Sequence, residues 1–227
     1  MSFIGVIPAR RQSKGLKFKN RLKIDGESIT RRAIKIALKA KCKIVVLTTD
    51  DEKLIKENKD IAEIVLRKQS LSSDTACSFE VWRDAVLKII NKYKLNKNYF
   101  STLLLEPTSP NRKLIDLENI KQLHLKNNCN VLTLSELNKS YSPEKIMKID
   151  KGITSFYLKN GINFLRRQKI KNYYYRNGIC YACKADIIVK KNPKKNFYLN
   201  CQSMIINREV VNIDNKSDLK FIYYKHE

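Results

Sequence analysis

Phe3-Ile-Gly-Val-Ile-Pro-Ala-Arg-Arg-Gln-Ser-Lys-Gly-Leu-Lys-Phe-Lys-Asn20 carries the reading on which the rest of the chain depends. It opens on an unbroken apolar run, Phe3 to Ile7, short enough for a strand and without polar alternation. A strand buried on both faces of a parallel sheet reads this way. Pro8 has no N–H to donate and is expected to end the ladder. Arg10, Arg11, Lys14, Lys17 and Lys19 follow, with Ser13 and Gly15 among them. The turn after the first strand of an α/β unit lies at the carboxyl edge of the sheet, where ligands bind. Backbone amides joined there by fixed cations suit a polyphosphate. A solvated basic loop is the alternative in so basic a chain, and spacing alone does not choose between the two.

Downstream, short apolar runs alternate with helical stripes. Lys23-Ile-Asp-Gly26 reads as a turn, and Glu27 or Ser28 opens a helix whose face is Ile29, Ala33, Ile36, Ala37 and Ala40. Lys43 to Thr48 is a second buried strand, ending in Thr49-Asp50-Asp51. An aspartate there could cap the helix from Lys53 to Lys59 or bind a metal. Ala62 to Arg67 is a third strand. Asp74 or Thr75 is a candidate cap for the next helix, whose Trp82, Ala85, Val86, Ile89, Ile90 and Tyr93 form a core stripe. Thr102 to Leu105 runs into Pro107, which places Glu106 to Arg112 at the carboxyl edge. A helix from Leu114 to Lys126 and a strand from Asn130 to Ser135 come next. Lys145 to Tyr157 reads as two strands about Asp150-Lys-Gly152, a hairpin signal. Ala185 to Lys191 and Leu219 to Tyr224 read as helices, with Asp218 capping or packing the last. Glu209 to Asp214 reads as a strand, and residues at i and i+2 on a strand face one side, so Asn212 and Asp214 could chelate one cation.

At 227 residues the chain accommodates one α/β unit with a small appendage. No apolar window reaches the ~18 residues of a membrane span. The N-terminus enters a strand at once, without a cationic region, apolar segment and cleavage site, so no signal peptide is expected and the protein reads as cytoplasmic. The net charge of +24 is spread over every expected helix and loop. Such a field would speed capture of anionic nucleotides and acidic sugars. A basic nucleic-acid-binding module is a competing class, and it predicts affinity that falls steeply with salt. No aromatic-basic RNP pattern or helix-turn-helix accompanies the charge, so nucleic acid is not the expected partner.

Cys180-Tyr-Ala-Cys183 has a redox or zinc spacing, but it lies in the apolar run from Gly178 to Cys183. Residues three apart in a strand point to opposite faces, and no second CxxC or paired histidine follows, so these are read as core cysteines. His124 and His226 stand beside no Ser or Cys in a catalytic order, which argues against Ser-His and Cys-His hydrolysis.

Ile7-Pro-Ala-Arg10, Ser13-Lys14-Gly15-Leu16 and Lys19-Asn20 together resemble the N-terminal signature of the CMP-sialic acid synthetases (acylneuraminate cytidylyltransferases). Lys17 stands where that family usually has a proline. The pattern is neither a Walker loop nor a dinucleotide glycine motif, and it differs from the related KDO cytidylyltransferases. Arg67 with Leu71-Ser-Ser-Asp74-Thr75-Ala76 is similar to the family's segment along the cytosine, with Lys68 in place of Pro. Glu106-Pro-Thr-Ser-Pro110-Asn-Arg112 is similar to Gln-Pro-Thr-Ser-Pro-Leu-Arg. Arg167-Gln168 and Asn177-Gly178 to Tyr181 resemble Arg-Gln…Asn-Gly-x-Ile-Tyr, with Cys180 at the Ile position. Asn212-Ile-Asp214 to Asp218-Leu resembles Asp-Ile-Asp…Asp-Leu.

The resemblance, through five ordered motifs from Phe3 to about Leu219, implies an α/β fold. It would be a mostly parallel, Rossmann-like nucleotidyltransferase sheet with helices on both faces and a small dimerisation hairpin insert. Residues 1–227 would be one cytidylyltransferase domain, with a projecting dimerisation and sugar-site segment at about 139–175 and a homodimeric state. The implied reaction moves CMP from CTP to the anomeric hydroxyl of a nonulosonic acid, releasing pyrophosphate, for surface glycan synthesis. Arg10, Lys14 and Lys19 would hold the triphosphate, with Ser13 and Gly15 in the loop and Asn20 beside the ribose. Arg67, supported by Ser78, can donate to the O2/N3 edge of cytosine. Glu106, Arg167, Asn177 and Tyr181 would line the sugar site, with Arg167 on the acceptor carboxylate. Asp214 and Asn212 would carry Mg²⁺. Glu106 brings a carboxylate towards two anionic substrates, which repels unless Lys or Mg²⁺ offsets it. That departure and Asn212 motivate the alternative, a non-catalytic or altered-specificity nucleotide- or sugar-binding relative.

Overall fold

A computed structural model describes residues 1–13, 15–73, 75–164 and 170–220. Lys14, Asp74, Arg167 and His226 lie outside the described residues, as does most of the helix expected from Leu219 to Tyr224.

The opening apolar run is β1 (Ser2–Pro8). Phe3 and Ile7 enter one apolar cluster, and Ile4 and Val6 enter another on the opposite face. With oil on both sides there is no polar face, which is why the run shows no alternation. Pro8 is the last strand residue, but pairing continues one bond past it, because Ala9 N–H reaches the Thr48 carbonyl at 3.0 Å. The small pair β2 (Lys23–Ile24) and β3 (Glu27–Ser28) leads into α1 (Ile29–Lys39), capped by Ser28 Oγ on Arg31 N. There follow β4 (Ile44–Thr49), α2 (Glu52–Asn58), β5 (Glu63–Leu66), α3 (Gln69–Ser72), α4 (Ser78–Tyr93), β6 (Phe100–Leu104), α5 (Leu114–Asn127) and β7 (Asn130–Glu136). A separate hairpin, β8 (Met147–Asp150) and β9 (Ile153–Phe156), precedes β10 (Tyr174–Lys184), α6 (Ala185–Ile188), α7 (Pro193–Leu199) and β11 (Cys201–Ile205).

The strand order of the central sheet is β11-β7-β10-β6-β1-β4-β5. Every pairing is parallel except the two made by β10, so the mostly parallel sheet expected from the sequence is the one observed. Helices α1, α2 and α5 cover one face, and α4, α6 and α7 the other. The chain runs outward from β1 through β4 to β5, then returns to β6 on the other side of β1. The strand order thus reverses between β1 and β6, and the carboxyl ends of these two strands border a crevice.

Several expectations change. Thr75 does not cap α4, because its hydroxyl pairs with Ser73 Oγ at 3.2 Å, and the cap position is Cys77. The helix from Ala185 stops at Ile188, and Pro193, with Asn192 left-handed before it, starts α7. The edge strand β11 and its partly exposed Cys-Gln-Ser-Met-Ile were not read from the sequence. Residues 209–214 are extended but form no strand: Asn111 serves as their partner, its amide bonding Glu209 O at 3.0 Å and accepting from Val211 N at 3.3 Å. His124 does meet a serine. Its Nδ1 donates to Cys129 O (2.6 Å), and its Nε2 accepts from Ser101 Oγ (2.7 Å). Both residues are buried near the start of β6, at the sheet edge opposite the crevice. Cys180 and Cys183 fall in the clusters on opposite faces, as expected of core cysteines, and burial pushes the Cys180 thiol up to about 12.

Candidate active site

The crevice is a cleft of about 290 Å³ whose lining includes Pro8, Arg10, Arg67, Glu106, Thr108 and Asp214. Two larger concavities, about 440 Å³ and about 630 Å³, run along α1 and along the start of β4. The larger lies at the opposite edge, and the other reaches Pro110 and Arg112 after β6 but none of the basic loop between β1 and Asn20, so chemistry rather than size singles out the cleft.

The basic loop is anchored from below. Leu16 packs into a small apolar cluster with Ile24, Ile29, Val211 and Ile213. Asn20 is buried, and its amide donates to Arg10 O at 2.9 Å while Thr30 Oγ1 donates to its own carbonyl at 2.8 Å. Gly15 is where the loop meets the C-terminal segment: a Cβ there would lie 2.3 Å from the Asp214 carbonyl oxygen, an impossible approach for any other residue. Lys19 Nζ sits 2.8 Å from Asp214 Oδ1 and 3.3 Å from Ile213 O. Ser13 Oγ is buried on the cleft wall without a hydrogen-bond partner among the described residues.

The two aspartates after β4 divide their tasks. Asp51 is the helix cap, accepting from Lys53 N at 3.0 Å and Leu54 N at 3.4 Å, and it also holds Arg21 at 2.6 and 2.8 Å. Asp50 receives Arg11 N at 2.7 Å and so fixes the root of the basic loop. Arg67, at the end of β5, donates Nη2 to Thr48 O at 3.2 Å, while its buried Nε meets no partner among the described residues. Burial lowers its pKa to about 10. An unpaired buried donor facing a cleft is a group awaiting an acceptor. Ser78, exposed at the start of α4, lines the same cleft.

Opposite stands Glu106. Gly178, at φ +70°, packs against it: a Cβ on Gly178 would lie 2.7 Å from Glu106 Oε2 and 2.8 Å from Ser109 Oγ. Glycine is therefore required at 178 both by the left-handed backbone and by the contact. Burial holds the Glu106 carboxyl above the usual range, against the pull of Arg112, Arg176 and Lys19. The Arg112 guanidinium is buried behind it, donating to the carbonyls of Ile179, Glu106 (2.7 Å) and Gly178 (3.2 Å). Arg112 thus ties the turn after β6 to the β10 bulge, where the register shifts between Arg176 and Tyr181.

Asn177 and Tyr181 do not line the cleft. Both amide ends of Asn177 are engaged, Oδ1 accepting from Thr133 Oγ1 (2.7 Å) and Nδ2 donating to Ser135 Oγ (3.0 Å). Tyr181 is buried against Phe79 and Phe197. The sequence reading missed Arg112 as a buttress. Arg112 could have been found, since an arginine closing a Pro-Thr-Ser-Pro turn at the sheet edge has five donors facing bare carbonyls.

Asn212 and Asp214 are exposed on one side of their extended segment, with Val211 and Ile213 buried on the other. The expected geometry of alternation survives without a strand, held by Ile213 N to Thr108 O (2.8 Å) and by Asp218 Oδ2 on the amides of Asp214 and Asn215. Among the described residues no group of three or more His, Cys, Asp or Glu could hold a metal. One carboxylate and one amide oxygen fit Mg²⁺, which keeps waters and shares its shell with substrate phosphates rather than entering an all-protein cage.

A family model described as Cytidylyltransferase matches residues 4–199. The N-acylneuraminate cytidylyltransferase of Escherichia coli O18:K1:H7 is 30% identical over 196 residues, covering 83% of this chain and 44% of that protein. The Post-translational flagellin modification protein B of Campylobacter coli is 29% identical over 224 residues, 96% of this chain and 92% of that one. The chain spans about half the length of the curated N-acylneuraminate cytidylyltransferases it matches. Among solved structures, a CMP:2-keto-3-deoxy-manno-octonic acid synthetase complexed with CTP superposes with a TM-score of 0.70 at 15% identity, covering 100% of this chain and 98% of that one.

Proposed function

We propose, from the premise that the chain belongs to the cytidylyltransferase family, that it transfers CMP from CTP to the anomeric hydroxyl of a nonulosonic (sialic-type) acid. The observation that carries this reading is that residues from separate stretches, Arg10, Asn20, Arg67, Glu106, Asn212 and Asp214, meet on one cleft at the topological switch point.

In this reading the anomeric oxygen attacks the α-phosphorus, its proton passes to solvent, and the bond to the bridging oxygen breaks as pyrophosphate leaves. Arg10, Lys14 and Lys19 hold the triphosphate, and preorganised cations stabilise the charge that develops on it. Ser13 and Gly15 shape the loop around the phosphates, and Asn20 fixes the loop beside the ribose. Arg67 gives its unpaired Nε to cytosine, with Ser78 beside it. Asp214 and Asn212 would hold Mg²⁺, which when bound neutralises phosphate charge. Lys19 must exchange Asp214 for phosphate when the nucleotide enters. Glu106 and Arg167 face the acceptor, while Asn177 and Tyr181 position the β10 side of the sugar site.

The chain acts as a homodimer in this reading. Ile149 and Ile153 on the hairpin are each 74% exposed, an unusual state for isoleucines on a two-stranded ribbon. Light scattering across a concentration series should give twice the chain mass, and Ile149→Asp with Ile153→Asp should give a monomer.

No helix among the described residues is long and apolar enough to cross a membrane. The function itself is tested by pyrophosphate release from CTP and Mg²⁺ over a panel of nonulosonic acids. Nucleotide binding without turnover on any of them would favour the non-catalytic alternative that Glu106 and Asn212 motivate.

A further inference from the structure

The concavity along α1 holds about 440 Å³ against about 290 Å³ for the cleft. That lies within the roughly 300–1,000 Å³ of small-ligand sites. Its charge comes first from the spacing of one helix. Arg32, Lys35 and Lys39 stand at i, i+3 and i+7, so they share one stripe of α1. Lys113, the residue before α5, borders the same concavity from a second element. Glu27 is the one carboxylate among the described lining residues, and Lys35 pairs with it. Arg32 is held by Asp25 at 3.3 Å and by the Ile24 carbonyl at 3.4 Å. Lys39 and Lys113 differ. Both are exposed, and neither has an ion-pair partner among the described residues.

Between the cations the lining is apolar, with Ile29, Ala33, Ile36 and Leu114. Two of the lining residues also anchor the walls of the cleft. Ile29 belongs to the small cluster in which Leu16 seats the basic loop. Arg112 ties the turn after β6 to Gly178 and Ile179 in β10. One occupant of the concavity would therefore touch the footing of the loop wall and the footing of the β10 wall. Packed side chains shared by two sites are what lets occupancy of one change affinity at the other.

We propose that the concavity along α1 binds a small phosphate monoester, and that its occupancy changes the affinity of the cleft for nucleotide. Two lysines on separate elements act as point charges, which suits the double charge and three oxygens of a phosphate better than a single planar carboxylate. The apolar lining calls for an organic body behind the phosphate, a sugar or a nucleoside, rather than a bare ion. The binding step stands by itself, while the coupling rests on the reading of the cleft as a CTP site.

The test is a methyl NMR titration of the full chain with glucose 6-phosphate, with CMP and with inorganic phosphate. Ile36 and Leu114 report the concavity, and Leu71 and Val81 report the cleft. Glucose 6-phosphate or CMP should move the Ile36 and Leu114 signals saturably, and whichever does so names the body of the ligand. Inorganic phosphate should bind at least about tenfold more weakly. Lys39→Ala with Lys113→Ala should weaken the organic phosphate about tenfold to a hundredfold, the worth of lost charge-assisted hydrogen bonds, without moving the melting temperature. Calorimetry should then show the Kd for CTP changing about fivefold or more when the concavity is saturated, in the wild type and not in the double variant. Signals at Ile36 and Leu114 that stay still, that move equally in the double variant, or that follow inorganic phosphate as strongly overturn the site. Binding there with an unchanged Kd for CTP overturns the coupling. If CTP moves neither Leu71 nor Val81, the reading of the cleft fails while the binding result stands.

Discussion

Along the loop wall of the cleft, from Arg10 to Asn20, the described contacts beyond the root at Asp50 and Thr30 are local or made to one partner segment: Asn20 to Arg10, Leu16 to Ile213, Gly15 and Lys19 to Asp214. Along the β10 wall, the groups that matter come from four places in the chain. Glu106 and Arg112 follow β6, Gly178 lies at a bulge in β10, Thr133 and Ser135 on β7, and Phe79, which packs on Tyr181, on α4. A phosphate cradle is made of backbone and cations in sequence order, so it can be written as a motif. A sugar site is made of side chains gathered by tertiary packing.

The largest expected effect would break the loop wall alone. Arg10→Ala and Lys14→Ala should each lower kcat about a hundredfold or more, the equivalent of about 3 kcal/mol of lost transition-state stabilisation. Circular dichroism and melting temperature should stay at wild-type values, because Leu16 and Asn20 keep the loop in place. Wild-type rates in both variants would remove the triphosphate role from this loop.

Arg112→Ala should instead break the β10 wall through the fold. It leaves the Glu106, Gly178 and Ile179 carbonyls short of a donor in a buried place, and each such loss costs about 1–3 kcal/mol. Urea denaturation should show a destabilisation of about 3 kcal/mol or more, with acceptor KM rising before CTP affinity changes. Equal loss of both substrates would mean that the two walls are not separable.

These two walls also explain which features were legible in the sequence. The buried parallel strands were, because Phe3–Ile7 and Ile44–Thr48 are apolar throughout. The CxxC reading held for the same reason of period. Strand β11 was not, since an edge strand with one half-exposed face carries no apolar run. The segment 209–214 alternates as a strand does, Val211 and Ile213 in, Asn212 and Asp214 out, but a side chain, Asn111, takes the place of a partner strand. Alternation reports burial of one side, not the presence of a ladder. The Ser101–His124 pair was invisible because it joins a strand to a helix across 23 residues. Of the residues that line the cleft, Arg10, Lys19 and Arg67 could be named from motifs.

A smaller effect sharpens the comparison at the junction of the walls. Asn212→Asp should add a carboxylate to the O-donor pair with Asp214, and ligand charge tunes divalent-ion affinity, so half-maximal activity should need several-fold less Mg²⁺. Asp214→Ala should nearly abolish metal-dependent turnover and release Lys19. Mn²⁺ binding followed by electron paramagnetic resonance should move in the same two directions. Unchanged Mg²⁺ dependence in Asp214→Ala would place the metal elsewhere.

The smallest effect concerns Glu106 without substrate or metal. Burial raises its folded pKa above the ordinary glutamate value of 4.5, although Arg112, Arg176 and Lys19 pull the other way. The folded protein therefore holds this proton more tightly than the unfolded chain does. Its contribution to stability is complete below the unfolded pKa and is lost as pH rises through the raised folded value. Glu106→Gln keeps the shape and removes the titration. Measured against pH, the melting temperature of the variant should gain on the wild type from about pH 4.5 upward and then level off above the folded pKa. For a domain of this size each kcal/mol reads as about 2–4 °C. If the two curves run parallel across that window, the three cations balance burial completely, and Glu106 is an ordinary ionised carboxylate on the acceptor wall. A converging pair of curves, with the wild type gaining as pH rises, would mean that the cations outweigh burial and that Glu106 is held as an anion for an acceptor group that donates to it.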